Sequence, residues 1–189
     1  MTQPHSRRAF LRNSGLGALG FYVGGTLLHL TPAQAREREL PLQVLSQHQA
    51  KLLEAFGEVL LPGSTEAGIA WYVDHQLNAA PLEQMLVLKY LRVEQPFTDF
   101  YAGGLAALDA HAAAVMGKPL LDLTPEQQNE ITGRIAQGNP DGWTGPPAPL
   151  FYFALRNDAL DVVYGTVQGV ESLGLPYMAH IQPPSRWGE

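Results

Sequence analysis

Between Ser46 and Gly165 the chain is punctuated as a run of helices, and no other feature limits the possible folds as much. Ser46 and Gln49 form the first capping box, followed by Leu52, Leu53, Phe56, Val59 and Leu60 on one face until Pro62-Gly63. A second helix is expected from about Thr65, with Ile69, Val73 and Leu77 four apart, closing at Ala80. Pro81 suits the first position of a third, with Leu82, Met85, Leu86 and Leu91 facing inward until Pro96. The fourth runs from Phe97 to Gly117, and Gly103-Gly104 inside it points to close packing or a kink. Thr124, Pro125 and Gln127 start a fifth that Gly138 stops; with only Ile131 and Ile135 to bury, it belongs on the surface. The loop Asn139 to Pro149 leads to a last helix, Leu150 to Tyr164. No stretch alternates convincingly with period two, so the expectation is an all-α domain of six helices over residues 46–165.

The segments outside that domain differ in kind. "SRRAFLR", Ser6 to Arg12, sets Arg7-Arg8 before Phe10-Leu11; an apolar stretch from Leu16 to Leu30 and the small-residue pattern Ala33-Gln34-Ala35 follow. A basic start, a short apolar middle and an A-x-A site read as an export signal over residues 1–35, cut after Ala35. The pair with its Phe-Leu neighbours resembles the twin-arginine motif, which implies a protein moved across the membrane already folded and a periplasmic destination. The apolar middle is too short and glycine-rich for the roughly 20 residues of a membrane span. Residues 36–45 read as a linker. From Thr166 onward, residues 166–189 carry glycines and prolines with no helical period, yet they are apolar enough to need a surface to lie on. Tyr164, Tyr177, Met178, His180 and Trp187 are the candidate anchors of such an arm on a partner, because aromatic and methionine side chains dominate interface cores.

Chemistry is hard to find in the rest. Past residue 35 the chain keeps nine of its 12 basic side chains and all 18 acidic ones, an acidic balance that argues against nucleic acid or anionic lipid as partner. There is no cysteine, which removes disulfides, thiolate metal sites, iron-sulfur clusters and covalent haem attachment. The glycine runs lack the preceding strand of a phosphate loop, and there is no nucleophile elbow. His48, His75, His111 and His180 form no ligand pair at helical spacing, so a free-standing metal-dependent enzyme using His75, His111 or His180 is the alternative reading. A lipid- or quinone-facing module anchored by an uncleaved leader is a third. Asp158 with Asp161, and Glu126 with Glu130, read as solvated helix faces, and Arg156 as a surface arginine within reach of Asp99 or Asp109. No catalytic, cofactor-binding or metal-binding residue is therefore assigned.

Two segments resemble a known family. "LLEAFGEVLLPG" followed by "AGIAWYVDHQL", centred on Asp74, and "FALRNDALDVVYGTVQGVESLGLPYMAHIQPPSRW", Phe153 to Trp187, are similar to the small subunit of gluconate 2-dehydrogenase, subunit 3. The chain departs from that pattern in having "YGTVQG" where relatives carry Tyr-Gly-Gly-Asn. The resemblance implies a non-catalytic subunit with no cofactor of its own. Its partners would be a large FAD-dependent dehydrogenase of the glucose-methanol-choline class and, in some complexes, a multihaem cytochrome c, which ties the assembly to the membrane. It also implies an escort role, in which the small subunit carries the export signal for a large subunit without one.

Overall fold

The computed structural model describes residues 19–23 and 26–174. Within them a hairpin of β1 (Leu19–Val23) and β2 (Thr26–Leu30) precedes seven α-helices: α1 (Pro32–Glu37), α2 (Gln47–Leu60), α3 (Ile69–Asn78), α4 (Phe97–Met116), α5 (Pro125–Gln137), α6 (Ala148–Tyr164) and α7 (Val167–Ser172). Single 3-10 turns lie at Val87–Lys89 and Leu120–Asp122. The all-α expectation holds for the body of the chain. Among the described residues no helix is long and apolar enough to cross a membrane.

Helices with strong local signals form where the sequence puts them. Ser46 and Gln49 exchange hydrogen bonds at the start of α2, as do Thr124 and Gln127 at the start of α5. Gly117 in the left-handed region ends α4. Helices α2, α3, α4 and α6 enclose one core in which Phe56, Phe97, Tyr101, Leu105, Leu108 and Phe151 are almost wholly buried, and α5 covers its edge with Ile131 and Ile135. The rings of Phe56 and Phe151 stack 5.7 Å apart within 2° of parallel. Gly104 lets α4 and α6 approach so closely that a Cβ there would collide with the Phe151 ring. Gly104 is thus the close-packing residue of the pair, and α4 runs unbroken through both glycines.

Four expectations need correction. A hairpin does exist: β1 and β2 pair antiparallel in register Leu19↔Leu30 to Val23↔Thr26, although no strand was expected. The two apolar runs flank Gly24-Gly25, a sequence signal for a hairpin that reading them as the middle of an export signal obscures. The proposed third helix is also absent. Residues 79–95 form turns around Val87–Lys89, because side chains bind the backbone there: Gln76 Oε1 accepts from Met85 N at 2.7 Å, and Lys89 Nζ donates to Leu82 O at 2.8 Å. The second helix starts at Ile69 rather than Thr65, after turns in which Glu58 accepts from the Gly63 and Thr65 amides. Finally, the segment after Thr166 is not wholly extended: Thr166 accepts from Gly169 N and caps α7.

Residues 19–23 and 26–45, the described part of the stretch expected as leader and linker, are built into this architecture. Leu30, Ala35 and Leu40 form a second small core with Phe21, Leu28 and Trp71 packed against it. Trp71 Nε1 donates to Leu40 O at 2.9 Å, and the Asp74 carboxylate accepts from the amides of Gln43, Val44 and Leu45, each at 2.8 Å. One face of α3 thereby holds residues 40–45 as a strap.

Candidate functional site: an apolar edge beside a buried carboxyl cluster

The turns at 79–95 present four large apolar side chains to solvent: Leu82 (90% exposed), Met85 (60%), Tyr90 (66%) and Leu91 (45%). Leu82, Met85 and Leu91 were expected to face inward with Leu86. The structure buries Leu86 and Leu88 completely instead, and these two anchor the segment. The Gln76, Gln84 and Lys89 hydrogen bonds hold it further, with Gln84 Nε2 donating to Ala79 O at 3.2 Å. Hydrogen-bonded in this way, the segment keeps these four apolar side chains outward.

Met85 also borders a cavity of about 270 Å3 together with Leu19, Pro32, Tyr72, Gln76, Asp161 and Thr166. Behind it, α3, α4 and α6 bring two tyrosines to two carboxyl groups. Tyr101 OH donates to Asp158 Oδ2 at 2.6 Å in the fully buried interior, and Tyr72 OH donates to Asp161 Oδ2 at 3.3 Å nearer the surface. Asp158 and Asp161 are thus not one solvated face: Asp158 points into the core. Burial pushes the Asp158 carboxyl up to about 8; the Tyr101 bond opposes the shift and the nearby Asp161 adds to it. Burial likewise raises Asp161, and burial with the neighbouring carboxylates raises both tyrosines. Burial thus favours the protonated form of Asp158, whose Oδ1 has no hydrogen-bond partner among the described residues.

This has a pH signature. With the folded value above the ordinary 3.8, the native state holds a proton that the unfolded chain has lost, so Asp158 makes stability fall as pH rises between those values. His75 and His111, both lowered chiefly by burial, act in the opposite sense below their ordinary 6.5. Between pH 6.5 and 8 the Asp158 contribution should dominate, at up to about 1.4 kcal/mol per pH unit. Urea denaturation across that window should show the decline in the wild type and a flatter profile in Asp158→Asn; equal slopes would mean that Asp158 is ionised in the fold.

His75 and His111, two of the three histidines named for a metal, make separate contacts. His75 Nε2 bonds Gly20 O at 3.1 Å and its ring lies 5.2 Å from that of Phe21, while His111 sits edge-on to Trp143 on the far side of α4. Among the described residues no group of three His, Asp or Glu side chains could hold a metal ion. His180 lies outside the described residues, as do Tyr177, Met178, Trp187 and the signal residues Arg7, Arg8, Phe10 and Leu11. Tyr164 is half-buried at the end of α6, Ala33 is half-buried and Ala35 fully buried in α1. Arg156 is exposed and pairs with neither Asp99 nor Asp109; the latter instead faces His48 at 3.5 Å and accepts from Leu120 N.

A model of the gluconate 2-dehydrogenase subunit 3 family matches residues 47–179. The chain belongs to that family. No curated protein and no solved structure matches it. The match to the subunit 3 family begins at the first residue of α2 and takes in α2 to α7, the apolar edge and the carboxyl cluster. Family membership makes this chain a subunit of a dehydrogenase complex, and a subunit needs a surface for its neighbours. The apolar edge was missed in the sequence because Leu82, Met85 and Leu91 fall at helical spacing, which normally means burial.

Proposed function

We propose that the chain is the non-catalytic small subunit of a flavin-dependent sugar or polyol dehydrogenase of the gluconate 2-dehydrogenase type, and that it escorts the large subunit through twin-arginine export into the periplasm. One observation carries the reading: a subunit 3 chain opens with "SRRAFLR", a folded-export motif, while its own residues supply no cofactor motif that would demand folded export. The cargo that needs folding first is then the partner, which holds FAD; a cytochrome c subunit would pass its electrons on and keep the assembly at the membrane. The edge formed by Leu82, Met85, Tyr90 and Leu91 is the docking surface that exposure favours, and Tyr164, Tyr177, Met178, His180 and Trp187 stay the anchors proposed from the sequence.

Co-expression with a large flavoprotein subunit of that dehydrogenase class tests this. Arg7→Lys with Arg8→Lys should cut periplasmic dehydrogenase activity at least tenfold while the cytoplasmic complex still assembles. In the same assay, Leu82→Asp with Tyr90→Asp should abolish co-purification of the large subunit with little change in the melting temperature, since both residues are mostly in water. Full export and activity of the large subunit with this chain deleted would refute the escort role.

A further inference from the structure

The expected processing bond, Ala35–Arg36, lies inside α1, and its carbonyl and the side chains on either side of it are engaged. Thr31 and Gln34 form a reciprocal capping box: Gln34 N donates to Thr31 Oγ1 at 3.2 Å and Thr31 N to Gln34 Oε1 at 3.0 Å. Ala35 N donates to Thr31 O, and the carbonyl of the bond itself accepts from Leu40 N, both at 3.0 Å. The Ala35 side chain is fully buried between Leu30 and Leu40. Arg36, on the other side of the bond, lies 3.7 Å from Glu54 of α2. Below the helix, Gly68 holds a left-handed backbone with φ +85°, and a Cβ there would collide with the Pro32 carbonyl, so α1 sits directly on the start of α3. Trp71 closes the far end through Leu40.

A signal peptidase reads the small residues at positions like Ala33 and Ala35 from an extended, accessible strand. Extended backbone rises about 3.3 Å per residue and helix about 1.5 Å, so the bond reaches a protease only after α1 unwinds and leaves its core. A protein exported already folded meets the peptidase in its folded form.

We propose that α1 locks the Ala35–Arg36 bond inside the folded domain, so that the hairpin, α1 and the strap, residues 19–45, remain part of the working protein instead of being discarded with the leader. The proposal rests on the export reading for its biological setting, but the lock is a property of the folded chain alone. It replaces a disposable address by a structural layer: His75, Trp71 and Asp74 of α3 all bind residues that cleavage would remove or set loose.

The test uses the full-length chain, purified from the cytoplasm of a host lacking the twin-arginine translocase, incubated with purified signal peptidase and followed by intact mass. The wild type should yield no product beginning at Arg36, and a cut upstream of Leu19 would leave the proposed layer in place and support the idea. Gly68→Ala, which pushes against Pro32, should release the Arg36 product at least tenfold faster. Should that variant lose its helical circular dichroism, Thr31→Val with Gln34→Ala loosens the cap from the solvent side and serves instead. Cleavage of the wild type after Ala35 as fast as the loosened variants would overturn the lock. That result would leave the escort role standing, whereas loss of export dependence on Arg7 and Arg8 would remove the escort role without touching the lock.

Discussion

Gly104→Val is expected to destabilise the domain by about 3 kcal/mol or more, at the upper end of what overpacking costs. The new side chain would point straight into the Phe151 ring, and that ring has nowhere to go. Phe56 stacks on it, while Phe100 and Trp143 hold it with centroids 6.1 and 6.2 Å away. The collision must therefore be relieved by spreading α4 from α6, which opens the core around both helices. Gly103→Ala supplies the contrast: its Cβ would meet only Pro146 Cδ at 3.7 Å, an ordinary contact, so helix propensity should leave it neutral or stabilising by up to about 1 kcal/mol. Urea midpoints of the two adjacent variants should move in opposite directions or differ several-fold; a Gly104→Ala variant as stable as the wild type would disprove the close approach.

Asp74→Ala should cost about 3 kcal/mol, by a different route. The carboxylate is nearly buried and takes three backbone N–H groups, one of them on Leu45, whose burial keeps water from replacing the lost acceptor. Without it the strap detaches from α3, and the packing of Leu40 on Trp71 should loosen with it. Amide exchange localises the effect: protection at Val44 and Leu45 should be lost while α4 and α6 keep theirs relative to the new global stability. Asp74→Asn keeps an acceptor for Val44 and Leu45 but turns a donor toward Gln43, so it should fall between the two. If the alanine variant kept the protection of Val44 and Leu45, the strap would owe its position to something other than Asp74.

Helices α2, α4, α5 and α6 were legible in the sequence because their limits are local events. A serine or threonine three residues before a glutamine satisfies the first free amides wherever the helix ends up, and a glycine ends one for reasons confined to its own backbone. The apolar edge had the opposite character. Leu82, Met85 and Leu91 carry the spacing of a buried helix face, but a short segment with no side-chain cap is marginal as a helix on its own. Gln76 and Lys89 reach its backbone from positions that spacing alone does not connect, and turns result. The carboxyl cluster was hidden in the same way: Asp158 and Asp161 lie three apart on α6, and the fact that one of them meets Tyr101 inside the core follows from how α4 crosses α6.

The sequence by itself determined the class of the fold, the places where four helices begin, the family and the arginine pair that resembles a twin-arginine motif, since each is written in residues close together along the chain. Only the tertiary structure decided which apolar residues stay in water, which aspartate is buried and pushed toward its protonated form, and that the expected processing bond sits inside a helix. Those outcomes depend on contacts between segments far apart in sequence: Asp74 with residues 43–45, Gly68 with Pro32, Tyr101 with Asp158. Burial, and with it the free energy of a charge or an exposed leucine, is settled by what the neighbouring segment brings and not by the residue alone.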